Sequence, residues 1–349
     1  MRAAYRSFLG VGLGLLTAAC QHAAGPIGHW QEQPTGQTLS AVTQLVFSNP
    51  QAGWVVGGIV APTSFGGRYT NVLLRTTAGG SPWASLDLAP VNTARGWRSF
   101  YAVNDQLLYG VADDLPLSLV PGARARFVYK SQDGGQSWQR LPSTGFFDGD
   151  LAFPSAQVGL STYSSRIVRT ADGGNTWRPV WQDSLQRKWV SQVQFATPTL
   201  GFATGNCVLK TTDQGQTWQA LPWNNGAIYN AQFIGESVGF AVTMPSITTI
   251  TGPSIDDSGL YRTLDGGQTW ERLLAPAVTS TYAFVSAHEF YRAGRSIEHT
   301  FDAGQHWQTE YTLPTATASS PDSFVSFSFP SPEAGYAVSN NGVVVKRVP

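Results

Sequence analysis

Two kinds of side chain in this sequence could carry chemistry. Carboxylates stand close together at Asp113/Asp114, Asp148/Asp150 and Asp256/Asp257. Glycoside hydrolysis runs on two carboxyl groups held about 5–9 Å apart across a cleft. Acids this near in sequence point apart and are solvated unless a fold turns both inward. The histidines are the second kind: His299 and His306 straddle one short motif, and His288 lies just before it. No Cys or acid completes a zinc spacing with them, so no metal site is expected. Phosphate loops, nucleophile elbows and dinucleotide fingerprints are all missing, so no cofactor is expected.

The remaining acids belong to a repeat. Six segments share one pattern: TTAGGSPW (76–83), SQDGGQSW (131–138), TADGGNTW (170–177), TTDQGQTW (211–218), TLDGGQTW (263–270) and TFDAGQHW (300–307). The chemistry here is that of a turn. Asp133, Asp172, Asp213, Asp265 and Asp302 can accept hydrogen bonds from N–H groups further round the turn. The glycines two residues later supply the positive φ that such a turn needs. Trp83, Trp138, Trp177, Trp218, Trp270 and Trp307 close the segments, each with a large ring to bury on its own hairpin. These aspartates are therefore expected to be structural, and no catalytic residue is assigned.

A second pattern alternates with the first. A Phe is followed six residues later by Gly at Phe47/Gly53, Phe153/Gly159, Phe195/Gly201, Phe233/Gly239 and Phe329/Gly335. Weaker copies run through Val103 to Gly110 and Val285 to Gly294, which makes seven units. VTQLVF, WVSQVQF and FVSFSF have the period-two alternation of strands. Each unit reads as four strands, and a ring of such units of about forty residues is a β-propeller. The expected fold is all-β: a seven-bladed propeller of four-stranded blades. The seventh unit stops after its third strand, while GHWQEQP precedes the first. Residues 28–33 are thus expected to complete the last blade, with Trp30 in the place of a motif tryptophan.

The N-terminus differs from the rest. Arg2 and Arg6 precede an apolar stretch from Phe8 to Leu16, too short to span a bilayer as a mature helix. Leu16-Thr17-Ala18-Ala19-Cys20 resembles a bacterial lipoprotein signal with Cys20 as the lipidated residue. The expected organisation is a signal peptide over 1–20, a tether over 21–27 and one propeller domain over 28–349. The chain would be exported and lipid-anchored to the bacterial cell envelope. With Cys20 lipidated, Cys207 has no disulfide partner and reads as a buried thiol. Net charge is zero and no basic block occurs, so nucleic acid is not an expected partner.

In such a ring the motif turns occupy one rim. Blade-to-blade links and second-to-third strand turns share the opposite face. That face receives long insertions at 57–71, 111–126 and 243–259, and long loops in compact repeats tend to be functional. Arg95, Trp97, Arg98, Arg124, Arg126, Trp181, Arg187, Lys188, Trp223 and Tyr229 are the candidate binding residues there. Phe146, Phe147 and Tyr282 share the links. Aromatic and Arg side chains anchor protein and glycan contacts, although each can equally cover a blade core.

The short motif resembles the Asp-box, or bacterial neuraminidase repeat. That likeness implies sialidases and related glycoside hydrolases as relatives, but no sialidase arginine motif surrounds Arg68, Arg75 or Arg166. The alternation of Phe-x5-Gly with T-x-D-G-G-x-T-W across 28–349 resembles the photosystem II assembly and stability factor family. This resemblance implies a seven-bladed, often lipid-anchored propeller that binds membrane-protein intermediates without catalysis. The expected function is a monomeric, non-catalytic binding or assembly propeller with a protein partner at or near a membrane. The alternative is a carbohydrate-binding or carbohydrate-acting propeller with a glycan ligand.

Overall fold

Short alternating strands joined by Gly-rich turns form antiparallel hairpins, and each hairpin must bury one apolar face against a neighbour. The computed structural model describes residues 28–63, 66–88, 97–114, 125–142, 150–163, 165–243, 258–274, 281–314 and 322–348. These residues form seven four-stranded antiparallel sheets and no helix, a seven-bladed β-propeller. Blades one to six span 41–86, 97–140, 151–182, 190–221, 228–274 and 281–312, each a simple meander. Blade seven takes Phe324–Ser331, Ala334–Ser339 and Val344–Val348 from the C-terminal end and His29–Glu32 from the other. His29 pairs with Val348 and Glu32 with Val345, so the expected closing strand is present. The signal segment and tether lie outside the described residues.

The Phe–Gly interval has a packing cause. A Cβ on Gly53, Gly159, Gly239 or Gly335 would collide with the ring of Phe47, Phe153, Phe233 or Phe329. The glycine is the floor on which the ring lies. The ring's other side meets the preceding blade. Phe47 stacks on Tyr336 at 3.7 Å, Phe153 on Tyr109 at 3.7 Å, Phe233 on Phe202 at 3.5 Å and Phe284 on Phe240 at 4.0 Å. At these four junctions successive blades are thus stapled ring to ring. The motif tryptophan meets the same Phe edge-on, at 6.0 Å for Trp83 on Phe47 and 6.1 Å for Trp177 on Phe153. Trp30 meets Phe329 edge-on at 6.3 Å, which gives it the geometry of a motif tryptophan.

Each complete box is a hydrogen-bonded knot. In the fifth, Asp265 Oδ1 accepts from the Thr263 hydroxyl at 2.8 Å and the Thr269 N–H at 2.9 Å, and Oδ2 accepts from the Thr269 hydroxyl at 2.6 Å. Asp133, Asp172 and Asp213 repeat these contacts, and Asp302 does so with His306 Nδ1 in place of the second hydroxyl. Trp138, Trp177, Trp270 and Trp307 each donate Nε1–H to a carbonyl within their own turn. The first box has Ala78 instead of Asp, and the Thr76 hydroxyl bridges to the Gly80 carbonyl.

Candidate binding face

The innermost strand of every blade leaves one edge without a β partner, and such edges must be satisfied. Polar side chains of the preceding blade do this. Gln44 of blade one accepts from the Phe100 N–H at 3.2 Å and donates to the Phe100 carbonyl at 3.1 Å. Gln194 treats Phe233 N–H and the Ala231 carbonyl the same way, and Gln232 treats both groups of Phe284 so. Ser99 accepts from Leu151 N–H, Gln192 from Ala231 N–H and Ser326 from Leu45 N–H. The result is a polar belt round the ring's centre.

Asp150 stands in this belt, one residue before the inner strand of blade three. Burial pushes its carboxyl up to about 6, and a hydrogen bond from Gln192 offsets part of the shift. Asp148, Asp256 and Asp257 lie outside the described residues. The backbones of Asp113 and Asp114 pair with Arg126 and Ala125 in blade two. Among the described residues no group of three His, Cys, Asp or Glu side chains could hold a metal ion.

The face opposite the boxes is best defined at blades three to five. There the link 183–189 is tied down at both ends. Asp183 Oδ2 accepts from the N–H groups of Arg187 at 2.6 Å and Lys188 at 2.7 Å. The Lys188 N–H bond leads the interactions that hold the Asp183 carboxyl below its ordinary range. Asn206, in the adjacent hairpin of blade four, accepts from Trp189 N–H at 2.8 Å and donates to the Arg187 carbonyl at 2.8 Å. The link therefore presents Leu185, 68% exposed, and Trp189, 37% exposed, beside the exposed Arg187 and Lys188. Tyr229, 61% exposed, is the second residue of the inner strand of blade five. Cys207 beneath Trp189 is buried, and burial pushes its thiol up to about 11, where it is protonated and inert.

The other candidates divide. Arg98 is exposed and Arg126 half-buried. Trp181 is half-buried against the core of blades three and four. Trp223 is half-buried too, donates Nε1–H to the Gly226 carbonyl at 2.7 Å and packs on Tyr261 and Trp270. Trp97 is only 5% exposed and lies in the core with Phe100, Tyr129 and Trp138. Its burial has a local cause. Blade two pairs Ala102 with Leu108 where blade one pairs Phe47 with Gly53; Phe100 takes the place between Trp54 and Trp138, and Trp97 lies over Gly110 beside it. Arg95, Arg124, Phe146 and Phe147 lie outside the described residues, and Tyr282 is buried. Leu185 and Trp189 were not among the expected anchors, since Trp189 reads as the first residue of the alternating run WVSQVQF.

No family model and no curated protein matches the chain. Solved structures do. A structure of YCF48 bound to D1 peptide superposes with a TM-score of 0.62 at 19% identity, covering 92% of this chain and 97% of that one. YCF48 from Cyanidioschyzon merolae gives 0.61 at 16% identity over 91% and 98%. The GH74 enzyme of Niastella koreensis gives 0.61 at 14% identity, and there this chain accounts for 53% of the other. The likeness is one of fold. YCF48 and this chain superpose along almost their whole lengths.

Proposed function

We propose that this chain is a non-catalytic binding propeller that docks a segment of a protein partner on the face opposite its box turns, at or near a membrane to which Cys20 lipid would tether it. The observation that carries this reading is the braced 183–189 link. Ordering a loop on binding costs free energy, and a link already fixed by Asp183 and Asn206 avoids that cost. Trp and Arg are enriched among the residues that anchor protein contacts, and the link presents both in Trp189 and Arg187. The YCF48 structure supports the same use of this architecture, because YCF48 there is bound to D1 peptide.

The test is a crosslinking pull-down from membranes with the full chain, a Leu185→Ser/Trp189→Ala variant and a box-rim control, Leu264→Ser. The link variant should lose its partners while the control keeps them. Equal recovery by all three would overturn the choice of face. The carbohydrate reading rests on Asp150, whose raised pKa would suit a general acid. It requires that Asp150→Asn abolish turnover of a glycan, or binding to one, that the intact chain supports.

A further inference from the structure

The residue before each box hydroxyl, and Lys346 at the same place in blade seven, faces the second-strand residue that packs toward the next blade. In backbone register these pairs are Trp54 with Arg75, Tyr109 with Lys130, Leu160 with Arg169, Phe202 with Lys210, Phe240 with Arg262 and Tyr336 with Lys346. Six blades thus place a permanent cation there, and Arg75, Lys130, Lys210 and Lys346 lie 5.5–5.8 Å over the ring. Blade six alone has a titratable one. His299 pairs with Tyr291 and stacks on it at 3.9 Å. The same blade has a second exception. Glu310 is the residue skipped by the register shift between the third and fourth strands, a place held by Val180 in blade three and Leu273 in blade five.

The two exceptions meet. His299 Nδ1 lies 2.8 Å from Glu310 Oε1, and neither side chain has any exposure. Glu310 also accepts from Gly28 N–H at 3.0 Å and Trp30 Nε1–H at 2.8 Å, both from the closing strand. His299 Nε2 lies 3.2 Å from Glu289, which is 30% exposed and gives the imidazole a route to solvent protons. Arg347 of blade seven lies 5.8 Å over the Tyr291 ring, and Phe301 lies 4.0 Å from the imidazole. We propose that this cluster is a pH-operated latch on ring closure, in which protonated His299 holds Glu310 and Glu310 holds the first residues of the propeller.

The imidazolium donates to both carboxylates, whereas a neutral ring can donate to only one. Loss of the proton takes the imidazolium charge, the one in direct contact with it, away from buried Glu310, which is costly. Burial works against the charged imidazole, but Glu289 and Glu310 outweigh it and raise the His299 pKa. The sign follows: the latch is fully engaged below the unfolded value of about 6.5 and weakens as pH rises through the higher folded value. The test is hydrogen exchange of segment 28–33 at pH 6 and pH 9, corrected for intrinsic rates, with Val208–Thr211 as internal reference. It uses the full chain in a His29→Gln background, because His29 sits in the strand itself. Protection of 28–33 should fall at least ten-fold at pH 9 while the reference holds. His299→Lys, which copies the other blades, should keep 28–33 equally protected at both values. His299→Gln, neutral throughout, should give low protection at both. A segment equally protected at pH 6 and pH 9 overturns the proposal, as does a His299→Lys or His299→Gln chain that repeats the original fall.

Discussion

Asp265 and Asp150 carry the same carboxyl group into opposite surroundings. The Thr269 hydroxyl and N–H, helped by Thr263, hold Asp265 at about 2. Burial in the central belt drives Asp150 to about 6. An unfolded Asp titrates near 3.9, so folded Asp150 binds its proton more tightly than the unfolded chain does. Its ionisation therefore costs nothing below about pH 4, and stability is lost as pH rises through about 6. Asp150→Asn keeps an acceptor and removes that cost. It should stabilise the fold at pH 8 by up to ~3 kcal/mol, two pKa units at 1.36 kcal/mol each, and bring no gain at pH 4. Urea melts at the two pH values check this, and an equal change at both would locate the effect in packing. The role of Asp265 was legible because its motif recurs. That of Asp150 was not, because residues of blade four, far along the chain, make its surroundings.

Strands and turns were read from their periods, and the Phe–Gly interval marked five of the seven units, the other two, with Ala102/Leu108 and Phe284/Phe290 at that place, showing only weaker copies. What the interval does was hidden, because half of each contact belongs to another blade. Tyr109 and Phe153, stacked at 3.7 Å, are ordinary core residues in their separate runs. Gln44, Gln192, Gln194 and Gln232 were hidden for another reason. A polar residue on every second strand position already has an explanation in solvent, yet here it satisfies the next blade's edge. Trp97 shows the converse, an aromatic between Arg95 and Arg98 that has the make-up of an anchor and instead lies buried over Gly110. Gly159→Ala tests the floor directly. Its Cβ would push Phe153 out of the stack and should cost about 1–3 kcal/mol, as overpacking does. In a Phe153→Leu background the same change should cost measurably less, which a double-mutant cycle by chemical denaturation would show.

For the ring as a whole, the closing strand joins the two ends of the propeller by backbone pairing along His29–Glu32 and by the Trp30 side chain. Trp30 is 5% exposed and touches Tyr291, Phe327 and Phe329, so it bridges blades six and seven. Trp30→Ala removes that bridge and the donor to Glu310 Oε2. A loss of about 3–5 kcal/mol is expected, measured by thermal or urea unfolding. An effect below about 1 kcal/mol would mean that backbone pairing alone carries closure.

The direction of the closing strand also fixes how the molecule would stand. His29 lies opposite Val348 at the rim of the box turns, and Glu32 lies further toward the other face. Anything attached ahead of Gly28 therefore departs from the rim that carries the boxes, while Leu185, Trp189 and Tyr229 look the opposite way. The seven residues between Cys20 and Gly28 reach at most about 25 Å when extended. An anchor on Cys20 would hold the disc by its underside, with its reading surface held aloft. It would then meet parts of a client that rise well clear of the lipid, and a client lying flat would demand that the disc tip onto its edge.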